Sequence, residues 1–425
     1  MNAGTRRHFL QSTTVGAVAL SQFPALLRAA EPDRKLKLGL IGCGWYGMVD
    51  LNAAVKCGGV EVISLCDVDS DHLQQSAKDV EKLQGKRPQT FKLYEELLKA
   101  GGLDAIIIAT PPHWHALQFI AALEHGLDVY QEKPLSFDIR EGRAMVEAAK
   151  KSGRIVQVGF QRRQSPAFQA VRQRVQAGNA GRIVCSEATI NYSAGTKDPT
   201  PQPPPASLDW DVWCGPGPKI PYSPQVGHMN WRLEKTTGQG HLVDWGIHLV
   251  DAARVILGEG LPQKVAAAGG IYALKAITTP DVLTAHFDFA SGPLTWRHRI
   301  WGAEEYNPQI SNGITLYGEK ETIFVTDDHY EVIPRGKGKE RQTFEAKADM
   351  GGLHMAEFLN AVRTRQPAGC TVEEAYRSTA TVKLAMIAYD TGCQLAWDAQ
   401  AETIPGNAEA ARLLKRDYRA PWVHP

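Results

Sequence analysis

The sequence predicts an α/β protein with an amino-terminal domain built on a doubly wound parallel sheet and a carboxyl-terminal α+β domain with a large, mainly antiparallel open sheet. Three observations support this prediction. Short apolar runs alternate with helical patterns from Lys35 to about Gly159, longer strands with alternating apolar residues follow, and a turn with three glycines joins the first run to the first helical pattern. A chain of 425 residues is long for one core, so we expect an extension at 1–30 and domains at 35–158 and 159–425.

The amino terminus has the pattern of an export signal. Arg6 and Arg7 precede an apolar stretch of small residues that runs roughly from Val15 to Leu27. Paired arginines before such a stretch are typical of the twin-arginine signal peptide, so we assign residues 1–30 to this signal and expect an exported, periplasmic or extracytoplasmic protein. A membrane anchor is the alternative. A serine, a glutamine and a proline interrupt the stretch, which is too short and polar to span a bilayer comfortably, so we expect no stable membrane span.

Charge and cysteine usage limit the classes of partner that the protein can have. The chain has 47 basic and 46 acidic residues and no basic tract, which argues against a nucleic acid held by phosphate contacts. Its seven cysteines are scattered without a C-x-x-C pair, and we interpret them as mostly buried thiols. No zinc-ligand spacing is present, so we predict no metal site. The balanced charge fits an enzyme with a small-molecule substrate better than a nucleic-acid-binding protein.

The elements of the first domain follow from periodicity. The strand candidates are "LKLGLIG", "VEVISLCD", "DAIIIATPP", "LDVYQEKP" and "RIVQVGF". The helical patterns between them are "QQSAKDVEKLQ", "HALQFIAALEHG" and "REGRAMVEAAKKSG". Alternation of this kind predicts a parallel sheet covered on both faces.

The three-glycine turn, in "LGLIGCGWYG", has the context of a dinucleotide-binding fingerprint. Gly42, Gly44 and Gly47 lie between a strand and a helix, and Asp67 ends the next strand 20 residues after Gly47. We expect the first glycine to permit the tight turn, the second to let the backbone approach a pyrophosphate, and the third to allow close helix packing. The alternatives are an ordinary tight turn and, for Asp67, a turn former at a strand end.

The residues after the second strand indicate which dinucleotide is bound. Asp67 would accept hydrogen bonds from the adenosine ribose, and "CDVDSD" adds Asp69 and Asp71 where a 2′-phosphate would lie. Three acids without an arginine favour NAD over NADP.

The second domain begins with a change of pattern. In "VLTAHFDFASGPLTWRHRIWG", alternate residues from Leu283 to Phe289 share one face and "SGP" marks a turn, so an antiparallel sheet with one covered face is predicted. The segment from Thr196 to Gln225 holds nine of the 25 prolines and is too long for a simple connector. Trp213 and Trp231 in or beside this segment are candidate walls of a sugar pocket, with plain packing as the alternative.

Two motifs carry the chemistry. Lys133 of "EKP" follows a strand at the edge where doubly wound sheets bind ligands, and it can polarise a substrate hydroxyl; a solvated surface lysine is the alternative. In "DWGIHLVDAARVILG", Asp244, His248 and Asp251 are spaced to share one helix face. The opposing apolar stripe is predicted to be Trp245, Leu249, Ala252 and Ile256. An imidazole in this place can accept the hydroxyl proton, whereas a helix cap and a buried structural histidine are the alternatives.

These motifs occur in one order: "GCGWYG", "ATPPHWH", "EKPLS", "VGFQRR" and "GHLVDWGIHLVD", followed by "YRAPW". In this order the chain resembles the glucose-fructose oxidoreductase / inositol dehydrogenase / MocA (Gfo/Idh/MocA) family, and in particular its exported twin-arginine branch, from Lys35 to Trp422. The resemblance implies a Rossmann domain that binds NAD and a catalytic set of Lys133, Asp244 and His248.

The remaining predicted site residues are divided between cofactor and substrate. The predicted cofactor-binding residues are Gly42, Gly44, Trp45, Tyr46, Gly47, Asp67, Thr110, Pro111, His115, Glu132 and Lys133. The predicted substrate-binding residues are Arg162, Arg163, Trp213 and Trp231, and the two arginines have pairing with acids as their alternative.

The function we expect is oxidation of a secondary hydroxyl of a sugar, sugar acid, glycoside or cyclitol by NAD, in a homodimer or homotetramer. Because free NAD is scarce outside the cytoplasm, we expect the cofactor to stay bound. The alternatives are a glycosidase that uses NAD transiently through oxidation and elimination and, less favoured, a sugar-binding protein without activity.

Overall fold

The first domain is a parallel sheet with helices on both faces. The computed structural model describes residues 34–303 and 305–425, and the predicted export signal lies outside the described residues. The strands of the first sheet are β1 (Leu36–Ile41), β2 (Val60–Cys66), β3 (Gln89–Phe91), β4 (Ala105–Ile108), β5 (Asp128–Gln131) and β6 (Val156–Val158). They pair in the order β3-β2-β1-β4-β5-β6 and all run parallel. The order reverses beside β1, which is where such sheets bind ligands at their carboxyl edge.

Helices follow the strands of this sheet. They are α1 (Trp45–Cys57), α2 (Ser70–Gln84), α3 (Tyr94–Ala100), α4 (His115–Glu124) and α5 (Ile139–Ser152). Several have sequence-encoded ends: Asp69 caps α2, and Asp138 with Glu141 forms a capping box at α5. The strands β4, β5 and β6 are fully buried because these helices cover both faces, whereas the edge strand β3 is partly exposed.

The second domain contains a mixed, mainly antiparallel sheet of nine strands. Its strands are β7 (Ile183–Ile190), β8 (Lys264–Gly270), β9 (Val282–Asp288), β10 (Pro293–Arg299), β11 (Asn312–Gly318), β12 (Glu321–Val325), β13 (His329–Pro334), β14 (Gln342–Glu345) and β15 (Leu395–Ala396). They pair in the order β14-β13-β12-β11-β7-β10-β9-β8-β15, and among the described strands of this sheet only β7 and β10 run parallel. Leu283, Ala285 and Phe287 of β9 are buried, as their alternation predicts. The predicted fold class is therefore confirmed.

Six helices complete the described chain. They are α6 (Pro166–Gln176), α7 (Trp210–Cys214), α8 (Ile247–Leu257), α9 (Met350–Thr364), α10 (Val372–Thr391) and α11 (Ala408–Arg412). Helix α9 returns to the first domain, where Phe358 and Leu359 share a core with Leu51 and Ala54 of α1. Among the described helices, none is both long enough and apolar enough to cross a membrane.

A long segment of the second domain lies on the first. This cover segment, residues 191–240, connects β7 to the turn before α8 and includes α7. Ser70 N–H donates to the Ser207 carbonyl at 2.9 Å, and Asp209 N–H donates to the Val68 carbonyl at 3.1 Å. The proline-rich part thus forms backbone contacts with the carboxyl end of β2, beside the predicted ribose-binding residue.

Candidate active site

The glycine turn after β1 has the geometry of a pyrophosphate cradle. Gly42 has φ +93°, and a Cβ there would lie 2.8 Å from the Ala109 and Thr110 backbone. A Cβ on Gly47 would lie 2.0 Å from the Gly42 carbonyl oxygen, so α1 can approach the turn this closely only with glycine. A Cβ on Gly44 would meet nothing within 4 Å. That open space faces the amino terminus of α1, where an anion is favoured.

Asp67 fixes the second edge of this cradle. Its carboxylate accepts hydrogen bonds from Cys43 N–H at 2.7 Å and from Asp69 N–H at 2.8 Å. These bonds link the end of β2 to the glycine turn and hold the carboxylate at the cleft. Each carboxylate oxygen can accept more than one hydrogen bond, so Asp67 keeps the capacity to bind ribose hydroxyls. The ribose contact itself stays a prediction.

A cleft of about 360 Å³ extends from this cradle. Gly44, Trp45, Asp67, Thr110 and Pro111 line it, as do aromatic residues from distant segments. The aromatic lining residues are Tyr46, Tyr94, Trp114, Trp213, Trp231 and Trp422. An open cradle at a helix amino terminus, the Asp67 carboxylate at the end of β2 and a largely apolar cleft fit a dinucleotide, so we name this the cofactor cleft.

A second cleft of about 350 Å³ adjoins the first and shares Trp45, Tyr46, Thr110 and Trp231 with it. We name it the substrate cleft. Its charged and titratable lining residues are Glu132, Lys133, Tyr192, Arg232, His241, Asp244 and His248. The three predicted catalytic side chains are thus brought together in one cavity, next to the cofactor cleft.

An ion-pair network organises the substrate cleft. Lys133 Nζ donates to Asp244 Oδ1 at 2.8 Å and to the Asp244 carbonyl at 2.7 Å, while Arg232 Nε lies 3.1 Å from Asp244 Oδ2. Burial acts to raise the pKa of Asp244, but the Lys133 ammonium and the Arg232 guanidinium outweigh it and hold that pKa below its usual value. The carboxylate is therefore anionic and shared between two cations.

His248 lies beside this network as a neutral imidazole. It is 7% exposed, and burial, followed by the Lys133 charge, lowers its pKa well below the usual value. Its Nδ1 has no hydrogen-bond partner in the described structure. That nitrogen is sealed from solvent, so Nε2 is the ring nitrogen that the cleft can reach, and as part of a neutral imidazole it can accept a proton from a bound hydroxyl.

A second buried histidine lines the same cleft. Burial lowers the pKa of His241 to about 4, its Nε2 lies 3.1 Å from the Ile190 carbonyl, and its Nδ1 is unpartnered among the described residues. Tyr192 packs against it at a centroid distance of 5.0 Å. The substrate cleft therefore has two neutral imidazoles, of which the sequence analysis identified one.

Glu132 lines the substrate cleft and contacts the backbone of Lys133. Gln161 donates to its Oε1 at 2.7 Å, and burial raises its pKa to about 7. Its other oxygen accepts from Lys133 N–H at 3.1 Å. Glu132 thus orients the lysine backbone at the floor of the cavity.

His115 does not line either cleft. It is fully buried, and its ring nitrogens lie 2.7 Å from the Pro134 and Thr110 carbonyls. It therefore joins the loops after β4 and β5, whose residues Thr110 and Lys133 do line the clefts. The structure places it as a support of the cofactor site and not as a contact surface.

Arg162 and Arg163 are not brought into the substrate cleft. Arg162 Nε lies 3.0 Å from Asp327 Oδ1, and Arg163 forms a two-pronged ion pair with Asp251 at 2.7 and 2.9 Å. Both arginines line a separate cavity. Pairing with acids, the alternative to substrate contact, describes their observed positions, because each buried guanidinium needs a counter-charge.

Trp213 and Trp245 lie in places other than the predicted ones, whereas Trp231 lines the substrate cleft as well as the cofactor cleft. Trp213 is buried, stacks on Trp210 at 4.4 Å and lines the cofactor cleft.

Trp245, predicted in the apolar stripe of a helix, is 41% exposed and lines the substrate cleft. The reason is local: Leu242–Gly246 is a π-helical turn, whose extra residue rotates Trp245 away from the face of α8.

Sequence reasoning missed Arg232, Tyr192 and His241 in the substrate cleft. They lie in the cover segment or next to it, which has no helical or strand periodicity to indicate where its side chains point. It also missed Trp114 and Trp422 in the cofactor cleft. The motifs "ATPPHWH" and "YRAPW" contain these tryptophans and were the available signal.

Comparison with known families places the chain among oxidoreductases. Three profiles of the GFO/IDH/MocA family match it: the oxidoreductase family with the NAD-binding Rossmann fold over residues 36–160, the GFO/IDH/MocA C-terminal domain over residues 217–324, and the oxidoreductase family C-terminal alpha/beta domain over residues 330–424. Together they match most of the chain.

Individual relatives cover less. The scyllo-inositol 2-dehydrogenase (NAD(+)) of Bacillus subtilis is 34% identical over 161 residues, which are 38% of this chain and 43% of that protein. A glycosyl hydrolase family 109 protein of Stenotrophomonas maltophilia is 31% identical over 185 residues, 41% of this chain and 40% of that protein. The chain thus spans less than half the length of these curated relatives.

A solved structure matches over most of the fold. Levoglucosan dehydrogenase in complex with NADH and levoglucosan has a TM-score of 0.68, covers 85% of this chain and 99% of its own, and is 18% identical. At this identity the likeness shows the fold alone.

Proposed function

The chain belongs to the GFO/IDH/MocA family of NAD-binding oxidoreductases, and from this premise we propose that it oxidises a secondary hydroxyl of a sugar, sugar acid, glycoside or cyclitol with bound NAD. The observation that carries the proposal is the position of Lys133, Asp244 and His248 in one cleft that adjoins the cofactor cleft. The scyllo-inositol dehydrogenase relative supports a polyol substrate.

The residues of the cleft divide the chemistry. NAD supplies the hydride acceptor when bound. Lys133 Nζ uses two N–H groups on Asp244, and its third remains available to a substrate hydroxyl. Because Asp244 keeps the ammonium in place, the hydroxyl is polarised at a fixed position. The neutral His248 imidazole then accepts its proton, and the aromatic walls Trp45 and Trp231 exclude water from the ring faces.

The test is a substrate screen of the purified full-length chain. Sugars, glycosides, sugar acids and cyclitols are added in turn, and the reduced-nicotinamide absorbance is followed under single-turnover conditions. We expect one class of polyol to reduce the cofactor and His248→Ala to slow this reduction by roughly 10²- to 10⁴-fold. The control His286→Ala, on a half-exposed histidine of β9, should retain the wild-type rate. A screen without any cofactor reduction would contradict the proposal.

A second candidate function is that of a glycosidase which oxidises the ring transiently. Two observations favour it: the family 109 glycosyl hydrolase relative, and the second neutral imidazole, His241, in the substrate cleft. Elimination after oxidation needs a second base for the acidified ring C–H, and we assign this role to His241, whose unpartnered Nδ1 is buried and would reach the substrate after a rotation of the side chain. Release of p-nitrophenol from a nitrophenyl glycoside without net NADH formation would favour the glycosidase, and net NADH without aglycone release would favour the dehydrogenase.

The location of the protein also belongs to the proposal. The twin-arginine pattern supports export of the chain to the periplasm or another extracytoplasmic compartment. Arg6→Lys combined with Arg7→Lys should leave the protein in the cytoplasm, since receptors for this signal read the paired arginines. Cell fractionation with unchanged export of the variant would reject the assignment.

The assembly is a further part of the proposal. The nine-stranded sheet packs helices on one face, and outward residues of β9 and β10, such as Thr284 and Arg297, are exposed on the other. An open face of this size supports a homodimer or homotetramer. Analytical ultracentrifugation should give two or four chains, and a monomer at micromolar concentration would contradict this part.

A further inference from the structure

Three potential metal ligands meet at the ribose end of the cofactor cleft. Asp69 caps α2, His72 lies in the first turn of α2, and His228 comes from the cover segment of the other domain. One ligand atom from each lies within 4.8 Å of the others, and Asp69 Oδ2 is 2.9 Å from His228 Nε2. The two imidazole rings lie 4.2 Å apart between centroids.

We propose that Asp69, His72 and His228 form a binding site for a divalent transition-metal ion of the zinc class. Two imidazoles and one carboxylate are a common set of three protein ligands for such an ion, with a fourth position left for water or a ligand hydroxyl. His72 and His228 both line the cofactor cleft, so the fourth position faces it.

The chemistry of the three side chains suits a metal ion. Asp69 offers a carboxylate oxygen, and His72 and His228 each offer an imidazole nitrogen. Transition-metal ions of the zinc class bind the neutral imidazole and the anionic carboxylate, so metal binding releases any proton that these ligand atoms carry.

The geometry requires only local movement. Ligand bonds of about 2.0–2.2 Å in a tetrahedral arrangement place the ligand atoms about 3.3–3.6 Å apart. The hydrogen bond between Asp69 Oδ2 and His228 Nε2 is therefore replaced by the ion, and this separation opens from 2.9 Å by about 0.5 Å, while Asp69 Oδ1 keeps its capping bond. The side chain of His72 has no hydrogen bond among the described residues, so its rotation supplies the rest of the movement.

An ion at this site would link the two domains beside the cofactor cleft. His228 belongs to the second domain, whereas Asp69 and His72 belong to the first, and Asp69 also forms a backbone bridge with Leu208 of the cover segment. A bound ion would add a bond across the mouth of the cofactor cleft. Metal binding and cofactor retention would then strengthen each other, because each ligand favours the closed arrangement.

The first experiment measures metal alone. Metal-free full-length protein without added cofactor is titrated with Zn²⁺ by calorimetry, and its metal content after dialysis is measured by mass spectrometry. We expect about one tight site per chain, weakened at least tenfold in His72→Ala and in His228→Ala. His286→Ala is the matched control, because His286 Nε2 lies 3.1 Å from Asp288 without a third ligand. It should bind Zn²⁺ as the wild type does.

The second experiment measures the coupling. The release rate of NAD is followed after dilution with and without Zn²⁺, and we expect release to be at least threefold slower with the ion in the wild type only. Less than one site per chain, or equal Zn²⁺ affinity in the wild type and both correctly folded variants, would overturn the site; unchanged NAD release would overturn the coupling. Neither readout depends on turnover, so failure here is distinct from failure of the proposed function.

Discussion

A methyl group added at two glycines of the cradle should separate cofactor binding from stability. In Gly47→Ala the new carbon would lie 2.0 Å from the Gly42 carbonyl oxygen, although such contacts are almost never under about 3 Å, so the backbone must part by about 1 Å. Overpacking of this kind costs about 1–3 kcal/mol, and we expect the upper end because the obstacle is backbone. Gly44→Ala meets nothing within 4 Å at φ −70°, so its stability should change by less than about 0.5 kcal/mol.

Cofactor affinity should fall in Gly44→Ala. The methyl of Gly44→Ala occupies the space where a pyrophosphate would approach the α1 amides, and loss of one or two charge-assisted hydrogen bonds, at about 1.5–3 kcal/mol each, weakens NAD binding at least about tenfold. Thermal unfolding without cofactor measures stability, and quenching of tryptophan fluorescence by NAD measures affinity. The reasoning would be refuted if Gly44→Ala bound NAD as the wild type does, or if Gly47→Ala were equally stable.

Three further outcomes are expected at the site. His248→Ala should lower turnover by roughly 10²- to 10⁴-fold with nearly unchanged NAD affinity. Because burial depresses the pKa of His248, wild-type turnover should stay level as the pH falls through about 6.5, the ordinary pKa of histidine. A pH–rate profile that falls to half its value there would contradict this. Asp67→Ser with Val68→Arg should shift preference from NAD toward NADP in parallel titrations, whereas unchanged selectivity would remove Asp67 from its role. Arg163→Ala should cost about 3–5 kcal/mol in unfolding free energy, since Asp251 is left buried without its partner, while KM stays constant; a raised KM at unchanged stability would restore the substrate role.

The predictable part of the molecule is the part with local rules. The first sheet follows from apolar runs, and the turn from Gly42 to Gly47 follows from a spacing that has one physical reason for each glycine. Lys133 was identifiable because it follows a strand, and strand ends of a parallel sheet meet at one edge. In each case the neighbours along the chain determine where the side chain lies.

The remaining part depends on tertiary docking. Arg232 and His228 reach the clefts because the cover segment packs across the first domain, and no period in its sequence encodes that path. The cluster of Asp69, His72 and His228 could not be seen in the sequence for the same reason, since 159 positions separate Asp69 from His228. Trp245 was mispredicted for a different reason. The sequence has a helical period there, but the π-helical turn at Leu242–Gly246 shifts Trp245 off the apolar face that the period predicts.

The position of the ion pair makes the substrate cleft a property of the docked domains. Lys133 follows β5 of the first domain and Asp244 precedes α8 of the second, so their 2.8 Å contact forms only when the domains meet. The cover segment crosses the same boundary at the ribose end, beyond Asp67. Contacts between the domains therefore flank the cofactor cleft, at its ribose end and in the adjoining substrate cleft, and a dinucleotide that binds only the docked domains stabilises this arrangement by mass action. For a chain exported by the twin-arginine route, as we propose, we expect NAD to be loaded before transport, because the docked domains would retain it where no free NAD replaces it.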